Sequence, residues 1–349
     1  MVKTSKSFYF LLLFSLFTSS LIAQVGGSST YEFLNLTNSA RIAALGSNFM
    51  AVKDNDINLA IANPSLISAG MDNKLALSYV NDFSNINYGY AAYSKTFKKL
   101  GSFVASIQYV NYGTFTNADA TGQTYGTFRA AEYAFNLGWG RQLDSNFSIG
   151  ANLKAINSVL ETYSSFGLAV DVAGTYYNKK KQFAASLIFK NAGRQLSYYT
   201  PGNNETLPFE IQLGLSQKLS HAPFRIDLVL THLEKWDLMY EDPLNPSVKT
   251  DPLTGETTSR SSLTNFADNA MRHLVAGIEF IPSNNFYVSF GYNYQRRQEM
   301  KVATDLATVG FSWGFGFRIS KFNISFARVT QHVAGSTNYF TLATNLSAF

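Results

Sequence analysis

Histidine, the residue used most often as a metal ligand or general base, occurs four times, at His221, His232, His273 and His332. No acidic residue accompanies them in a zinc-binding pattern such as HExxH, and there is no GxSxG, P-loop or CxxC pattern. His232 and His273 flank one long segment, so a shared metal site is conceivable, although plain solvation of both rings is the favoured interpretation. We therefore predict no catalytic residues, no metal and no cofactor, and expect a protein that is not an enzyme.

The segment 234–271 has side chains suited to binding another protein. It contains seven acidic residues against three basic ones, and three prolines that restrict its backbone. Within it, DPLTGE at 251–256 lacks the regular oxygen spacing of an EF-hand calcium loop. Large apolar side chains beside acidic ones are typical of interface anchors. The docking candidates are Trp236, Met239, Tyr240, Glu241 and Asp242. The alternative is a solvated segment that only shields what lies beneath it.

The elements that position these side chains are indicated by alternation. In residues 308–318, Val309, Phe311, Trp313, Phe315 and Phe317 alternate with glycine, serine and arginine. One face of such a strand is aromatic and the other is small and polar. Because this pattern recurs and almost nothing has helical periodicity, it favours lipid outside and a polar lumen inside. We expect strand charges such as Lys154 and Arg318 to face that lumen, solvated and without a specific ligand.

Period-2 stretches predict fourteen strands, most of them long enough to cross a bilayer at a tilt. Their predicted bounds are 74–82, 86–96, 101–112, 129–140, 145–157, 163–178, 181–190, 209–219, 223–233, 272–281, 284–296, 307–318, 321–330 and 337–347. The connections after even-numbered strands are short, whereas several after odd-numbered strands are long: 113–128, 191–208, 234–271 and 297–306. Outer-membrane barrels sort their connections in this way. The fold prediction is an all-β membrane protein, a 14-stranded antiparallel transmembrane β-barrel (74–349), with both chain ends in the periplasm.

The chain begins with a secretory signal. Lys3 and Lys6 precede an apolar run at 8–17, and a cut after Ala23 makes 1–23 the signal peptide. Its removal leaves 26 basic against 23 acidic residues, a net charge of +3, which is no nucleic-acid footprint. Aromatic residues make up 15% of the chain, as expected where a barrel meets two membrane interfaces. There is no cysteine, hence no disulfide and no lipid anchor on one. These features predict a protein of the cell outer membrane.

Residues 24–73 precede the barrel and do not alternate. Short helical stripes occur around Leu34–Leu45 and 54–66. A partly helical hatch that plugs the lumen accounts for them, and an arm packed beneath the barrel is the alternative. The glycines of 314–318 (GFGFR) would make room for such a hatch. At the outer rim, Arg296 and Arg297 could contact either lipopolysaccharide phosphates or solvent.

Several stretches resemble the PorV/PorQ family of FadL-like outer-membrane barrels, especially its PorQ members. The family-like motifs are NLTNSARIAALG at 35–46, ANPSL at 62–66 and VNYGTF at 110–115, and the PorQ-like ones include FKNAGRQL at 189–196, HAPFRIDL at 221–228, EKWDL at 234–238, RHLVAGIEF at 272–280 and GYNYQRRQE at 291–299. The resemblance covers nearly all of the chain after the signal. It implies a fourteen-stranded barrel with an N-terminal hatch.

The same resemblance implies a function in the type IX secretion system of Bacteroidetes. Members of this family belong to the attachment complex that links secreted cargo to surface lipopolysaccharide, and a PorZ-like surface protein is the expected partner. The other implied partners are attachment-complex subunits, outer-membrane lipid and lipopolysaccharide. The alternatives are a FadL-like transporter of hydrophobic molecules and a PorV-like cargo shuttle. The inward-facing residues are mostly Gly, Ser, Asn and Lys, which argues against an apolar conduit.

Overall fold

A computed structural model describes residues 29–82, 86–239, 248–250, 257–259, 261–300, 308–332 and 335–349. The predicted signal peptide, 1–23, lies outside these residues. In the described part, fourteen strands form a closed antiparallel barrel in which neighbours follow chain order and the last strand pairs with the first. The predicted fold class and strand number are confirmed.

The barrel strands are β1 (Lys74–Asn81), β2 (Asn87–Phe97), β3 (Gly101–Ala118), β4 (Thr124–Gln142), β5 (Phe147–Leu160), β6 (Tyr163–Asn178), β7 (Phe183–Ser197), β8 (Glu210–Lys218), β9 (Phe224–Leu230), β12 (Leu274–Ser283), β13 (Phe286–Asn293), β14 (Phe311–Ile319), β15 (Phe322–His332) and β16 (Gly335–Asn345). The pair β10 (Val248–Thr250) and β11 (Thr257–Ser259) forms a separate two-stranded sheet. Helices α1 (Ala40–Ala44) and α2 (Leu59–Ala62) precede the barrel. Helix α3 (Ser262–Arg272) leads into β12, and α4 (Tyr294–Met300) follows β13.

Alternating burial separates the two faces of the wall. In β14, Phe311 and Trp313 are exposed, whereas Ser312, Gly314 and Gly316, which face the other way, are buried. Exposed outward side chains on other strands are likewise large and apolar, for example Phe135, Leu153 and Phe290. Such an exterior is stable in lipid and unfavourable in water. The geometry is that of a barrel wall that spans a membrane. In the described residues no helix has the length and apolarity needed to cross a bilayer.

The wall differs in height around the barrel. Strands β3–β7 have 14 to 19 residues, whereas β8, β9 and β12–β14 have 7 to 10. The predicted loop 113–128 is mostly a hairpin that continues β3 and β4 beyond their other neighbours, whose pairing stops at Asn87↔Asn111 and Ala130↔Leu160. The predicted strand 284–296 ends early because α4 starts at Tyr294. Helix α3 occupies the end of the predicted loop 234–271.

Two strand charges depart from the expectation of solvated lumen cations. Lys154 faces inward but is buried, with Nζ 2.8 Å from Asp171 Oδ2, so it is paired rather than solvated. Arg328 lies opposite Trp313 and Asn338 on the outward face of β15 and is exposed there. A lipid-facing arginine costs roughly 2–4 kcal/mol at mid-bilayer and little near an interface, so its position is tolerable only towards a rim.

The hatch, defined as the described residues 29–73, lies against the inner face of the wall. Helix α1 contacts β13–β16, while the 3₁₀ turn at Pro64–Leu66 contacts β4–β6. Its apolar side chains form mixed clusters with inward-facing wall residues, such as Ile67 with Val104 and Tyr90. Ser29 pairs with Thr206 between β7 and β8, at the long-connection end, whereas Phe349 follows β16 at the short-turn end. Ser29, the first described residue, therefore lies at the opposite end of the barrel from Phe349. The periplasmic location of both chain ends stays a prediction, because residues 24–28 lie outside the described residues.

Candidate functional site

The lumen is the first candidate site. Within it, backbone atoms of the hatch lie directly against the backbone of wall glycines. A side-chain carbon built on Gly150 would lie 2.2 Å from the Pro64 carbonyl oxygen, and one on Gly291 would lie 2.1 Å from the Gly46 nitrogen. At Gly314 such a carbon would lie 2.8 Å from Ala44 Cβ. Inward-facing glycines therefore allow the hatch to pack directly on the wall, which explains the small residues of the alternating strands.

An arginine of the hatch is tied to the wall by charge. Ser39 caps α1, and Arg41, two residues later, donates from Nε to Glu279 Oε1 at 2.8 Å. Arg41 also reaches Asp54 Oδ2 at 2.7 Å and Asp56 Oδ2 at 3.1 Å, and Arg225 of β9 reaches Glu279 Oε2 at 2.6 Å. We call Arg41, Asp54, Asp56, Arg225 and Glu279 the hatch clamp. It joins two parts of the hatch to β9 and β12.

The hatch clamp is largely buried, so its ion pairs are poorly screened by water and interact strongly. The side chains of Glu279 and Arg41 are 0% and 9% exposed, and the Arg41 guanidinium also lies over the Tyr287 ring at 5.3 Å. Burial opposes ionisation of Asp54, but Arg41 and Arg225 outweigh that effect and hold its pKa below the usual value. Asp54 is therefore charged at neutral pH. A pair buried this deeply is costly to break from one side.

A second contact joins the hatch to the opposite wall by hydrogen bonds. Asn63 Nδ2 donates to Thr175 Oγ1 of β6 at 3.2 Å, and the Ser65 hydroxyl lies 2.6 Å from the same oxygen. Thr175 in turn lies 2.7 Å from the Ser186 hydroxyl of β7. The polar wall side chains therefore find partners in the hatch, as buried polar groups require.

Wall charges near the middle of the barrel are also engaged. Lys154 Nζ donates to Asn191 Oδ1 at 2.7 Å besides pairing with Asp171. Asn191 donates to Asn35 Oδ1 of the hatch at 3.3 Å. Lys190 pairs with Glu210 at 3.7 Å. The side chains in this part of the lumen are polar and bonded to one another, so they form no apolar surface for a hydrophobic solute.

Tyrosines close the lumen at the long-connection end. The hydroxyl of Tyr31 bonds to that of Ser165, and the rings of Tyr31 and Tyr199 lie 6.4 Å apart. Tyr199 donates to Ser158 at 2.6 Å, and Tyr112 donates to Glu132 at 2.5 Å. Burial raises the pKa of Tyr31 and of Tyr199, so both remain neutral donors.

Helices α3 and α4 lie at the same long-connection end, on the side of the barrel where the strands are short. Tyr294 of α4 donates to Asp268 of α3 at 2.6 Å, and Arg272 Nη2 lies 3.1 Å from the same carboxylate. Trp236 stacks on His273 with ring centroids 5.5 Å apart and packs on Phe266 at 5.3 Å. Both helices contact β12, and α4 also contacts β15, so together these residues form an ordered cover at this end of the barrel.

Two of the five docking candidates from the segment 234–271 lie in the described part of this cover, and three lie outside it. Trp236 is 56% exposed, and Met239 beside it is half-buried. The predicted Tyr240, Glu241 and Asp242 lie outside the described residues. The sequence analysis missed two larger exposures on α3, Leu263 at 77% and Phe266 at 58%. The signal that would have found them is the Ser261 N-cap before an apolar i, i+3 pair. We call Trp236, Leu263 and Phe266 the apolar rim patch.

The two arginines proposed for lipopolysaccharide point elsewhere. Arg296 Nη1 donates to the Ser47 hydroxyl of the hatch at 3.2 Å, and the side chain is half-buried. Arg297 donates to the Val309 carbonyl at 3.5 Å. The geometry makes Arg296 a hatch contact rather than a surface phosphate ligand.

The two histidines that flank the long segment do not converge on one point. His273 has both ring nitrogens near carbonyl oxygens, Nδ1 2.7 Å from Thr231 and Nε2 3.0 Å from Trp236. His232 lies instead between Glu234, at 3.2 Å, and Glu210, at 3.9 Å. Among the described residues, no group of three or more histidine, aspartate or glutamate side chains is arranged to hold a metal ion. The open interpretation of a shared metal site at these two residues finds no geometric support.

Comparison with solved structures finds barrels of similar design. The Pseudomonas putida toluene transporter TodX aligns at 12% identity over 88% of this chain and 96% of its own, with a TM-score of 0.49. A Pseudomonas aeruginosa FadL homologue aligns at 11% identity over 88% and 98%, with a TM-score of 0.45. The monoaromatic hydrocarbon channel CymD aligns at 10% over 88% and 97%, with a TM-score of 0.47. No family model and no curated protein sequence matches the chain.

Proposed function

We propose that this chain is a non-enzymatic outer-membrane barrel that anchors a surface subunit of the type IX attachment complex, with a PorZ-like protein as its partner. On this proposal the short-turn end faces the periplasm and the long-connection end faces the cell surface. The cargo-shuttling role of PorV-like barrels belongs to the same class. The observation that carries the proposal is the filled lumen.

The filled lumen supports an anchor because only the outside of the barrel wall and the cover formed by α3 and α4 then remain available for binding a partner. The hatch clamp joins the hatch to β9 and β12, and the Ser65–Thr175 contact joins it to β6. Passage of a solute would require both sets of contacts to separate. The polar groups of Lys154, Asp171 and Asn191 would then line the path, which is unfavourable for a hydrocarbon.

The outer cover supplies a surface of the right chemistry. The apolar rim patch exposes two aromatic rings and a leucine from segments fixed by Asn269, which donates to the Trp236 carbonyl at 2.5 Å and accepts from the Leu238 N–H at 2.9 Å. Rigid aromatic anchors of this kind dominate binding energy at protein interfaces. We therefore place the partner on α3 and the segment that begins at Trp236.

Transport of hydrophobic molecules is the rival function, and one experiment separates the two. The tagged protein is isolated from native outer membrane in mild detergent after cross-linking, and the cross-linked peptides are identified by mass spectrometry. We expect stoichiometric recovery of one surface protein, cross-linked to residues around 236–272. The same preparation, reconstituted in liposomes, is tested for uptake of toluene.

Matched variants locate the interface. Trp236→Ala with Phe266→Ala removes two exposed rings of the rim patch, whereas Leu100→Ala removes a 62% exposed side chain at the short-turn end. We expect the first variant to lose the partner and the second to retain it. A solitary barrel that admits toluene in liposomes would overturn the proposal in favour of transport. Equal recovery by all variants would overturn the assigned interface.

A further inference from the structure

A cavity of about 420 Å³ opens at the short-turn end of the barrel, between the hatch and the ends of β8, β12–β16 and β1. Its volume falls within the range of small-molecule sites. The lining is mostly polar, with hatch residues 54–58 on one side and the β12–β13 turn on the other. It is separated from the apolar rim patch by the length of the barrel.

The charges of this cavity do not balance. Six cations line it, but Arg41 and Arg225 belong to the hatch clamp, where they face Asp54, Asp56 and Glu279. The remaining cations are Lys74, Lys218, Arg318 and Lys321. In the described part of the chain none of these four has a carboxylate within 4.0 Å. The clamp itself has two cations and three anions, a net charge of −1. Added to the four other cations, this leaves a surplus of three positive charges.

The surplus cations come from separate elements and converge on one space. Lys218 ends β8, and Arg318 lies near the end of β14. Lys74 begins β1, where its Nζ donates to the Asn55 carbonyl at 2.5 Å, and Lys321 lies over the Phe349 ring at 4.2 Å. Positive groups gathered around a concavity raise the local concentration of anions.

The lining also supplies neutral donors. Asparagine side chains at Asn284, Asn285, Asn323 and Asn345 surround the cations. The Arg318 N–H donates to the Asn285 carbonyl at 2.8 Å, which fixes the β12–β13 turn beside the guanidinium. A guanidinium with amide and ammonium donors matches the oxygens of a phosphate group.

We propose that this cavity, which we call the phosphate pocket, binds a phosphate group at the short-turn mouth of the barrel. Arg318 and Lys218 are the principal ligands, and Lys74 and Lys321 complete the positive field. The phosphate belongs either to a small soluble molecule or to the headgroup of a lipid beside the rim. Binding leaves the clamp intact, because the pocket uses only the surplus cations.

Calorimetry on the purified full-length barrel in detergent tests this assignment. Sodium phosphate is titrated at pH 7 against sodium chloride of equal ionic strength. We expect saturable binding of phosphate, weakened about 100-fold in Arg318→Gln with Lys218→Gln, because the variant loses two charge-assisted bonds and each weakens binding by about tenfold. Lys98→Gln with Lys99→Gln removes the same charge from the β2–β3 turn at the same end and should change nothing.

Retention of a heat-modifiable band on gels shows that each variant is folded. Absence of saturable binding by the wild type, or equal weakening in the control variant, would overturn the phosphate pocket. Repeating the titration in nanodiscs separates the two sources. Weaker phosphate binding in phospholipid nanodiscs than in a phosphate-free detergent would assign the pocket to headgroups, and equal binding would assign it to a soluble phosphate. Neither result depends on the partner experiment at the opposite end.

Discussion

Replacing Arg41 with glutamine is the most direct way to test whether the hatch clamp closes the lumen. The substitution keeps a polar side chain but removes the charge that Asp54, Asp56 and Glu279 face at 2.7, 3.1 and 2.8 Å. Arg225 stays 2.6 Å from Glu279, so that carboxylate keeps one partner. Among the cations of the described residues, Asp54 keeps Arg225, at 3.6 Å.

The expected cost follows from burial. Removing one member of a buried ion pair destabilises by about 3–5 kcal/mol, and here the remaining arginine places the value at the lower end. About 3 kcal/mol changes an equilibrium between docked and released hatch by roughly 100-fold. A barrel whose hatch is docked nearly all the time would then open often enough to be observed.

Single-channel recording in planar bilayers measures that opening. We expect long closed periods for wild type and frequent conducting events for Arg41→Gln. Urea unfolding, followed by the loss of the heat-modifiable band, reports stability in parallel. The double variant Arg41→Gln with Glu279→Gln removes both charges, and its coupling energy should fall within about 0.5–3 kcal/mol.

Identical conductance and identical urea midpoints for wild type and Arg41→Gln would refute the clamp. Increased conductance without loss of stability would mean that the hatch opens without separating from β12. Loss of stability without conductance would instead assign Arg41 to folding of the barrel. The closing role would then belong to the bonds that Asn63 and Ser65 make with Thr175 of β6.

Three further outcomes are expected. Gly150→Leu should destabilise the protein by about 1–3 kcal/mol, because its side chain meets Pro64. Gly174→Leu should not, because no atom lies within 4 Å of the carbon added there. The midpoints of urea unfolding measure both effects. The pKa of Asp54 is lowered, so its stabilisation is complete above the unfolded value near 3.8 and is lost as pH falls below it; bilayer conductance should rise only below about pH 4. Burial lowers the pKa of His232, but its glutamate neighbours outweigh burial and the net shift is upward. Its stabilisation is therefore complete below pH 6.5 and lost as pH rises further. The hydrogen-exchange protection factors of residues 231–239, corrected for the intrinsic exchange rate, should then fall in wild type but not in His232→Gln.

The barrel was predictable because its signal is local. Alternation in β14 identifies the lipid-facing side within nine residues, and the same signal recurs around the chain. Helix α4 was missed because Tyr294 and Gln295 continue the alternation of β13, and only the backbone geometry shows that the strand has ended. Arg328 shows the limit of a parity rule, since depth within the membrane decides whether a lipid-facing charge is tolerable.

The contacts of the hatch were not predictable in the same way. Arg41 and Glu279 lie 238 residues apart, and nothing near either one specifies the other. Trp236 could be proposed from its type and its neighbours, but its fixed position depends on Asn269 and His273. The phosphate pocket is likewise absent from the linear sequence, because its cations come from separate strands that only barrel closure brings together.

The polar inner face and the closed lumen have one physical explanation. Inward-facing serines, threonines and charges in an empty barrel would be satisfied by water, and conduction would follow. Here Thr175, Glu279 and Asn191 are bonded to the hatch instead. Opening must therefore break these bonds and hydrate the groups that they join, and that step costs free energy. A transporter needs a ligand that supplies this energy, whereas an anchor is stabilised by the same contacts without one.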